Sequence, residues 1–187
     1  MRTPAFYLVI DVEATCDDQD TIPRGESEII EIGAILVDER SLKVVDEFQT
    51  FVRPTRHPRL TPFCIRLTTI TQAQVDAAPT FPQAIAQLGA FVRGRDALFC
   101  SWGDYDHNQL DRDARRYGLR LPLGRDHWNL KEAFRERAGD KKKLGNGQAL
   151  QRLGIPHEGT AHRGIHDARD IAKLLPYILG RWSPVGP

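Results

Sequence analysis

The stretch that most constrains this chain is Phe6-Tyr7-Leu8-Val9-Ile10-Asp11-Val12-Glu13-Ala14-Thr15-Cys16. Five consecutive apolar or aromatic residues, two of them β-branched, read as a strand covered on both faces. Two carboxylates then appear at its end. Side chains alternate along a strand, so Asp11 and Glu13 project from the same face. Unpaired carboxylates are costly to bury, and the next basic residue in the chain is Arg24. A bound divalent cation resolves that conflict, and two hard oxygen donors suit Mg²⁺ or Mn²⁺. A strand ending at the surface with two solvated acids is the plain alternative. The pair therefore needs partners elsewhere in the chain.

The rest of the chain supplies a frame for them. Residues Asp17 to Glu28 are polar and acidic, with Pro23 and Gly25, and read as a loop. An apolar run, Ile29 to Val37, predicts a second strand, and the stretch near Lys43–Val52 a third, giving an antiparallel meander. Pro54, Pro58 and Pro62 predict irregular chain. Thr71-x-x-Gln74 and Thr80-x-x-Gln83 each fit a helix capping box, the second with an early Pro82. Ile85, Leu88 and Val92 continue the second at helical spacing. A fourth strand, Ala97–Ser101, leads to Asp104-Tyr105-Asp106 and a helix bearing Leu110, Ala114 and Tyr117. A weak fifth strand near His127–Asn129 precedes short helices near Leu130–Arg137 and Gly147–Leu153. A last helix near Gly164–Leu179 has Pro176 as a kink or stop. The order β-β-β-α-β-α-β-α-α predicts an α/β domain whose mixed, roughly five-stranded sheet is flanked by helices, with ligands at the strand ends.

At 187 residues the chain suits one domain, taken as residues 1–182, with 183–187 as a flexible tail. Its net charge of +1 argues against holding polyanions by bulk charge but leaves room for local metal ions. No apolar run reaches about 18 residues, so no membrane partner is expected. The N-terminus runs straight into the first strand, so no signal peptide is expected either. Cys16, Cys64 and Cys100 are odd in number, scattered and without metal-site spacing, which favours reduced thiols in a cytoplasm. The sequence does not fix an oligomeric state, and a monomer is plausible.

Two further acids complete a pattern. Asp106 stands at a helix start, where an acid also simply complements the macrodipole. Asp167 follows His162-Arg163-Gly164-Ile165-His166 and has the same plain reading. Taken jointly, Asp11-x-Glu13, Tyr105-Asp106-x-x-x-Leu110 and His162-x-x-x-x-Asp167 resemble the DEDDh family of 3′–5′ exonucleases. The likeness covers roughly residues 6 to 180. Val12 to Cys16, Pro62 to Val75 and Ser101 to Asp106 look like the Eri-type exoribonuclease branch. Thr69 departs from that pattern, standing where a glycine is usual, and His166 stands where relatives often have Asp.

The resemblance implies an RNase H-like fold and a two-metal mechanism acting on the 3′ end of single-stranded RNA or DNA, with RNA the expected substrate. Asp11, Glu13, Asp106 and Asp167 would hold two Mg²⁺ or Mn²⁺ ions about 3.5–4 Å apart. His162 would take a proton from water, imidazole ordinarily titrating near about pH 6.5. The product would be a nucleoside 5′-monophosphate. Ala14, Thr15, Phe63, Leu67, Thr68 and Tyr105 would hold the terminal nucleotide, with Phe63 and Tyr105 as base-contacting surfaces. Core packing is an equal reading for Phe63, and Trp102 reads as structural. Arg53, Arg56, Arg59, Arg66 and the run Lys141-Lys142-Lys143 read first as solvated surface.

Other chemistries fit poorly. His162-x-x-x-His166 has imidazoles one helical turn apart, but Arg163 occupies the place of the glutamate base in H-E-x-x-H. Gly145-Asn146-Gly147 lacks a dinucleotide loop's remaining glycines and preceding strand. Neither a P-loop nor a G-x-S-x-G elbow is present. Two alternatives stay open: an inactive nucleic-acid-binding module, and a hydrolase of very short oligonucleotides.

Overall fold

Alternation along the strands separates two apolar layers. The structure, a computed structural model, describes residues 3–19, 21–23 and 25–184. Strands β1 (Phe6–Ala14), β2 (Ile29–Asp38), β3 (Val44–Phe51), β4 (Ala97–Ser101) and β5 (His127–Asn129) form one sheet in the order β3-β2-β1-β4-β5. The first three strands are the expected antiparallel meander, while β4 runs parallel to both β1 and β5. Tyr7 and Val9 of β1 join one core with Ile35, Phe134 and the last helix; Leu8, Ile10 and Val12 join the other with Ile32, Leu88 and Leu110. Asp11 and Glu13 continue the phase of Tyr7 and Val9, so they face the side covered by the last helix.

Seven helices flank the sheet among the described residues: α1 (Pro62–Thr68), α2 (Gln72–Asp76), α3 (Phe81–Val92), α4 (Tyr105–Arg116), α5 (Leu130–Ala138), α6 (Asn146–Leu153) and α7 (Gly164–Ile178). Thr71 completes its capping box: its Oγ1 accepts from the Gln74 N–H at 3.3 Å while Gln74 Oε1 accepts from the Thr71 N–H at 2.8 Å. Gln83 Oε1 likewise accepts from the Thr80 N–H at 2.9 Å. Pro176 lies in the last turn of α7, two residues before its end. Ser183 and Pro184 are exposed; the remainder of the predicted tail, and Arg24, lie outside the described residues.

Helix α1 corrects the sequence reading, which has irregular chain through Pro62. Thr61 Oγ1 accepts from the Cys64 N–H at 3.0 Å, and Pro62 takes the first helical position, where its missing N–H costs nothing. The helix closes at Thr69 in the left-handed region, φ 59°, with the Thr69 N–H on Ile65 O at 2.9 Å. A β-branched residue is strained there, which explains why glycine suits this position. Thr69→Gly is expected to stabilise the protein by about 1 kcal/mol, read as a rise in the denaturant midpoint at unchanged slope.

Candidate active site

The sheet and two helix starts bring the predicted residues together. Asp11, Glu13, Tyr105, Asp106, His162 and Asp167 line one cleft of about 510 Å³, with Trp102, Asn146, Gly147 and His157. Asp106, only 4% exposed, is tied to β1 by the Val12 N–H, which donates to its Oδ1 at 3.1 Å across 94 residues of sequence. Glu13, His162 and Asp167 each offer a donor atom within 4.8 Å of the others. His162 adopts φ 60°, and its N–H donates to Asp167 Oδ2 at 2.8 Å. Its side chain thus stands at the exposed rim of the cleft while Asp167 sits deeper.

The electrostatics are those of an anion cluster. Burial first, then Asp106, Glu13 and Asp167, push the Asp11 carboxyl well above the usual carboxylate range. Burial, then Asp167 and Glu31, push Glu13 up to about 8. Burial raises Asp106 to about 7 against the opposing Val12 N–H, and burial raises Asp167. Hard oxygen donors, short of positive charge and converging on one space, fit divalent cations.

A stability trend follows for the metal-free protein. Each of these acids holds its proton to a higher pH when folded than when unfolded. Between the ordinary carboxylate range, near about pH 4, and about pH 8, the folded state therefore binds more protons than the unfolded chain. Stability is present at the acidic end and lost as pH rises through the folded values. In EDTA the thermal midpoint is expected to fall from about pH 5 to about pH 8, and saturating Mn²⁺ should abolish most of that fall.

Several residues escaped the sequence reading although they place the cluster. Gly33 sits opposite Asp11 in the β1–β2 register, and a Cβ there would lie 2.3 Å from Gly164 backbone atoms. A Cβ on Gly164 would lie 2.9 Å from Asp11 O, so these two glycines let the start of α7 rest directly on the strand that carries Asp11. An isolated glycine inside an apolar strand is the signal that could have marked Gly33. Glu31, fully buried opposite Glu13, receives Arg163 Nε at 3.0 Å and Nη2 at 3.3 Å and the Gly164 N–H at 3.1 Å. That buried pair docks the residue after His162 onto β2.

The predicted nucleotide-holding residues divide. Tyr105, 54% exposed, stands at the cleft. Ala14, Thr15 and Thr68 are buried: Thr15 Oγ1 accepts from the Glu28 N–H at 3.0 Å, and Thr68 Oγ1 donates to Cys64 O at 2.8 Å. Phe63 and Leu67 are half-buried on α1, Phe63 lining a neighbouring depression of about 300 Å³ with Asp17, Asp18 and Arg66. Trp102 does have a structural partner, its Nε1 donating to Leu144 O at 3.1 Å, yet it also lines the cleft. Arg53 and Arg59 are exposed, Arg56 pairs with Glu26 at 3.0 Å, and Lys143 pairs with Glu132 at 2.7 Å.

Comparison with known proteins bears on this geometry. The family model RNase_T, described as an exonuclease, matches residues 8–175. ERI1 exoribonuclease 3 of Homo sapiens is 33% identical over 185 residues, covering 94% of this chain and 54% of the relative. The 3′-5′ exoribonuclease 1 of Homo sapiens is 30% identical over 187 residues, covering 93% and 52%. The chain therefore spans about half the length of these curated relatives. Among solved structures, the nuclease domain of 3′hExo, a DEDDh family member bound to rAMP, is similar with a TM-score of 0.84 at 27% identity. That likeness covers 98% of this chain and 96% of that one. Exonuclease I, at 13% identity and a TM-score of 0.72, shares the fold. The RNase H-like α/β fold expected from the sequence is the fold formed.

Proposed function

The chain belongs to the RNase_T exonuclease family and its DEDDh type, and from that premise we propose that it is a metal-dependent 3′–5′ exonuclease. It hydrolyses the terminal phosphodiester of single-stranded nucleic acid, RNA by preference, and releases nucleoside 5′-monophosphates. The observation that carries this reading is the convergence of Asp11, Glu13, Asp106, Asp167 and His162 on one cleft. The preference for RNA rests on the exoribonuclease relatives. The free thiols of Cys16, Cys64 and Cys100 accord with a cytoplasmic site of action.

Asp11, Glu13, Asp106 and Asp167 would hold two divalent cations, Mg²⁺ or Mn²⁺, which when bound supply an activated water and charge stabilisation at the leaving 3′ oxygen. His162, on the exposed rim, takes the water's proton and passes it to solvent. The oxygen of water bonds to phosphorus, the bond from phosphorus to the 3′ oxygen breaks, and that oxygen takes a proton from solvent to become the new 3′-hydroxyl of the shortened strand. Tyr105 offers an exposed ring for base stacking. Phe63 and Leu67 flank the terminal nucleotide from α1, while Ala14, Thr15 and Thr68 shape the wall behind it.

The test compares matched RNA and DNA strands of about twenty nucleotides and a dinucleotide, each supplied with Mg²⁺ or Mn²⁺. The reading predicts nucleoside 5′-monophosphate as the released product and faster turnover of the RNA strand than of the DNA. Turnover of the dinucleotide alone would assign the chain to short-oligonucleotide hydrolysis. Binding of strands with no turnover would make it a binding module.

A further inference from the structure

The segment that carries His162, residues 154–163, lies almost wholly on the surface, yet the proposed proton transfer needs its imidazole fixed to within a fraction of an ångström. One face of α7 answers that need. Asp170, with no exposed surface, lies against the Nδ1 of His157 and accepts the Glu158 N–H at 3.3 Å. Lys173 Nζ bonds Asp170 Oδ1 at 2.7 Å, Glu158 Oε2 at 3.3 Å and Pro156 O at 3.3 Å. One turn earlier, the His166 ring meets the Thr160 backbone, its Nδ1 lying 2.9 Å from the Thr160 N and 3.3 Å from the Thr160 O. The His166 ring also fills the space over Gly159, φ 82°, where a Cβ would lie 2.6 Å from it. Last comes the His162 N–H on Asp167 Oδ2 at 2.8 Å.

We propose that His157, Asp170 and Lys173, with His166, form a clamp on the outer face of α7 that positions His162, and that His157 and Asp170 are its central pair. This deepens the nuclease reading and rests on it. The geometry excludes a merely decorative role for the pair. Asp170 is fully buried, which is costly for a carboxylate unless its partners repay it, and those partners all hold the Pro156–Glu158 stretch. His157 also lines the cleft, so the clamp ends beside the acids that His162 must serve. His166 belongs to the clamp because its ring both meets the Thr160 N–H and covers Gly159.

The test uses the whole chain with two variants, His157→Ala on the exposed segment and Asp170→Asn in the interior, each alone and combined with His162→Asn. Amide hydrogen exchange is read over residues 156–163 and over β1 and β2 as an internal reference. The clamp predicts exchange about tenfold faster over 156–163 with β1 and β2 unchanged, and kcat about tenfold lower with KM within about twofold. In the His162→Asn background the same substitutions should alter kcat less than about twofold, because their effect travels through His162. An equal loss in both backgrounds, or unchanged exchange over 156–163 in His157→Ala, overturns the proposal. Should Asp170→Asn fail to fold, His157→Ala decides alone. If the parent chain degrades no strand, the nuclease reading falls and the exchange measurement still judges the clamp.

Discussion

Replacing Asp11 with Asn is expected to lower metal-dependent cleavage by at least about 10³-fold while raising the thermal midpoint of the metal-free protein. The two effects have one cause. Burial first, and then the charges of Asp106, Glu13, Asp167 and Glu31, push the Asp11 carboxyl upward. At about pH 8 without metal, folding must hold these carboxylates together, and an amide removes one charge from the cluster. Each kcal/mol recovered moves the midpoint by about 2–4 °C in a chain of this size. Near about pH 5 the gain should shrink, because Glu13 and Asp106, pushed up to about 8 and about 7, hold their protons there and leave less charge to relieve. Added Mn²⁺ should stabilise the parent protein and do so far less for the variant. Calorimetry at the two pH values, with EDTA and with Mn²⁺, measures all of this. A variant that is less stable in EDTA at the higher pH would contradict the picture of a repulsive acid cluster.

Substituting His162 should separate proton transfer from ion binding. His162→Asn suits the backbone, since asparagine tolerates the left-handed conformation that His162 holds at φ 60°. The expected loss in kcat is about 10²–10⁴-fold, the usual contribution of a positioned general base, with KM little changed. The stabilisation by Mn²⁺ should persist, because the four carboxylates proposed to hold the ions remain. Single-turnover rates and melting curves on the same sample would read both halves. Loss of Mn²⁺ stabilisation as well as turnover would make His162 an ion ligand, in keeping with its place within 4.8 Å of Glu13 and Asp167 donors.

What the sequence could reveal was set by the range of the interaction. Asp11 and Glu13 were legible because a strand's period of two and a shortage of nearby cations are local facts. The meander, the Thr71 box and the helix start at Asp106 were legible for the same reason. Helix α1 was not: Pro62 reads as a breaker until Thr61 is seen to cap it. Thr69 stands out in the sequence, but the reason, a left-handed helix end, lies in the backbone. Least legible were pairings across the fold. Glu31 meets Arg163 across 132 residues, and Gly33 meets Gly164 where α7 docks on β1 and β2. These contacts carry no periodicity. They decide where Asp167 and His162 stand, and so whether four scattered acids make a site.

On the proposed mechanism these acids serve divalent cations in removing nucleotides from a 3′ end. The decisive experiment is a time course on single-stranded RNA labelled at its 5′ end, with Mg²⁺, with Mn²⁺ and with EDTA. The expected result is a ladder receding from the 3′ end with either ion and an intact strand in EDTA. Cleavage that persists in EDTA, or a jump to internal fragments without a ladder, would contradict it.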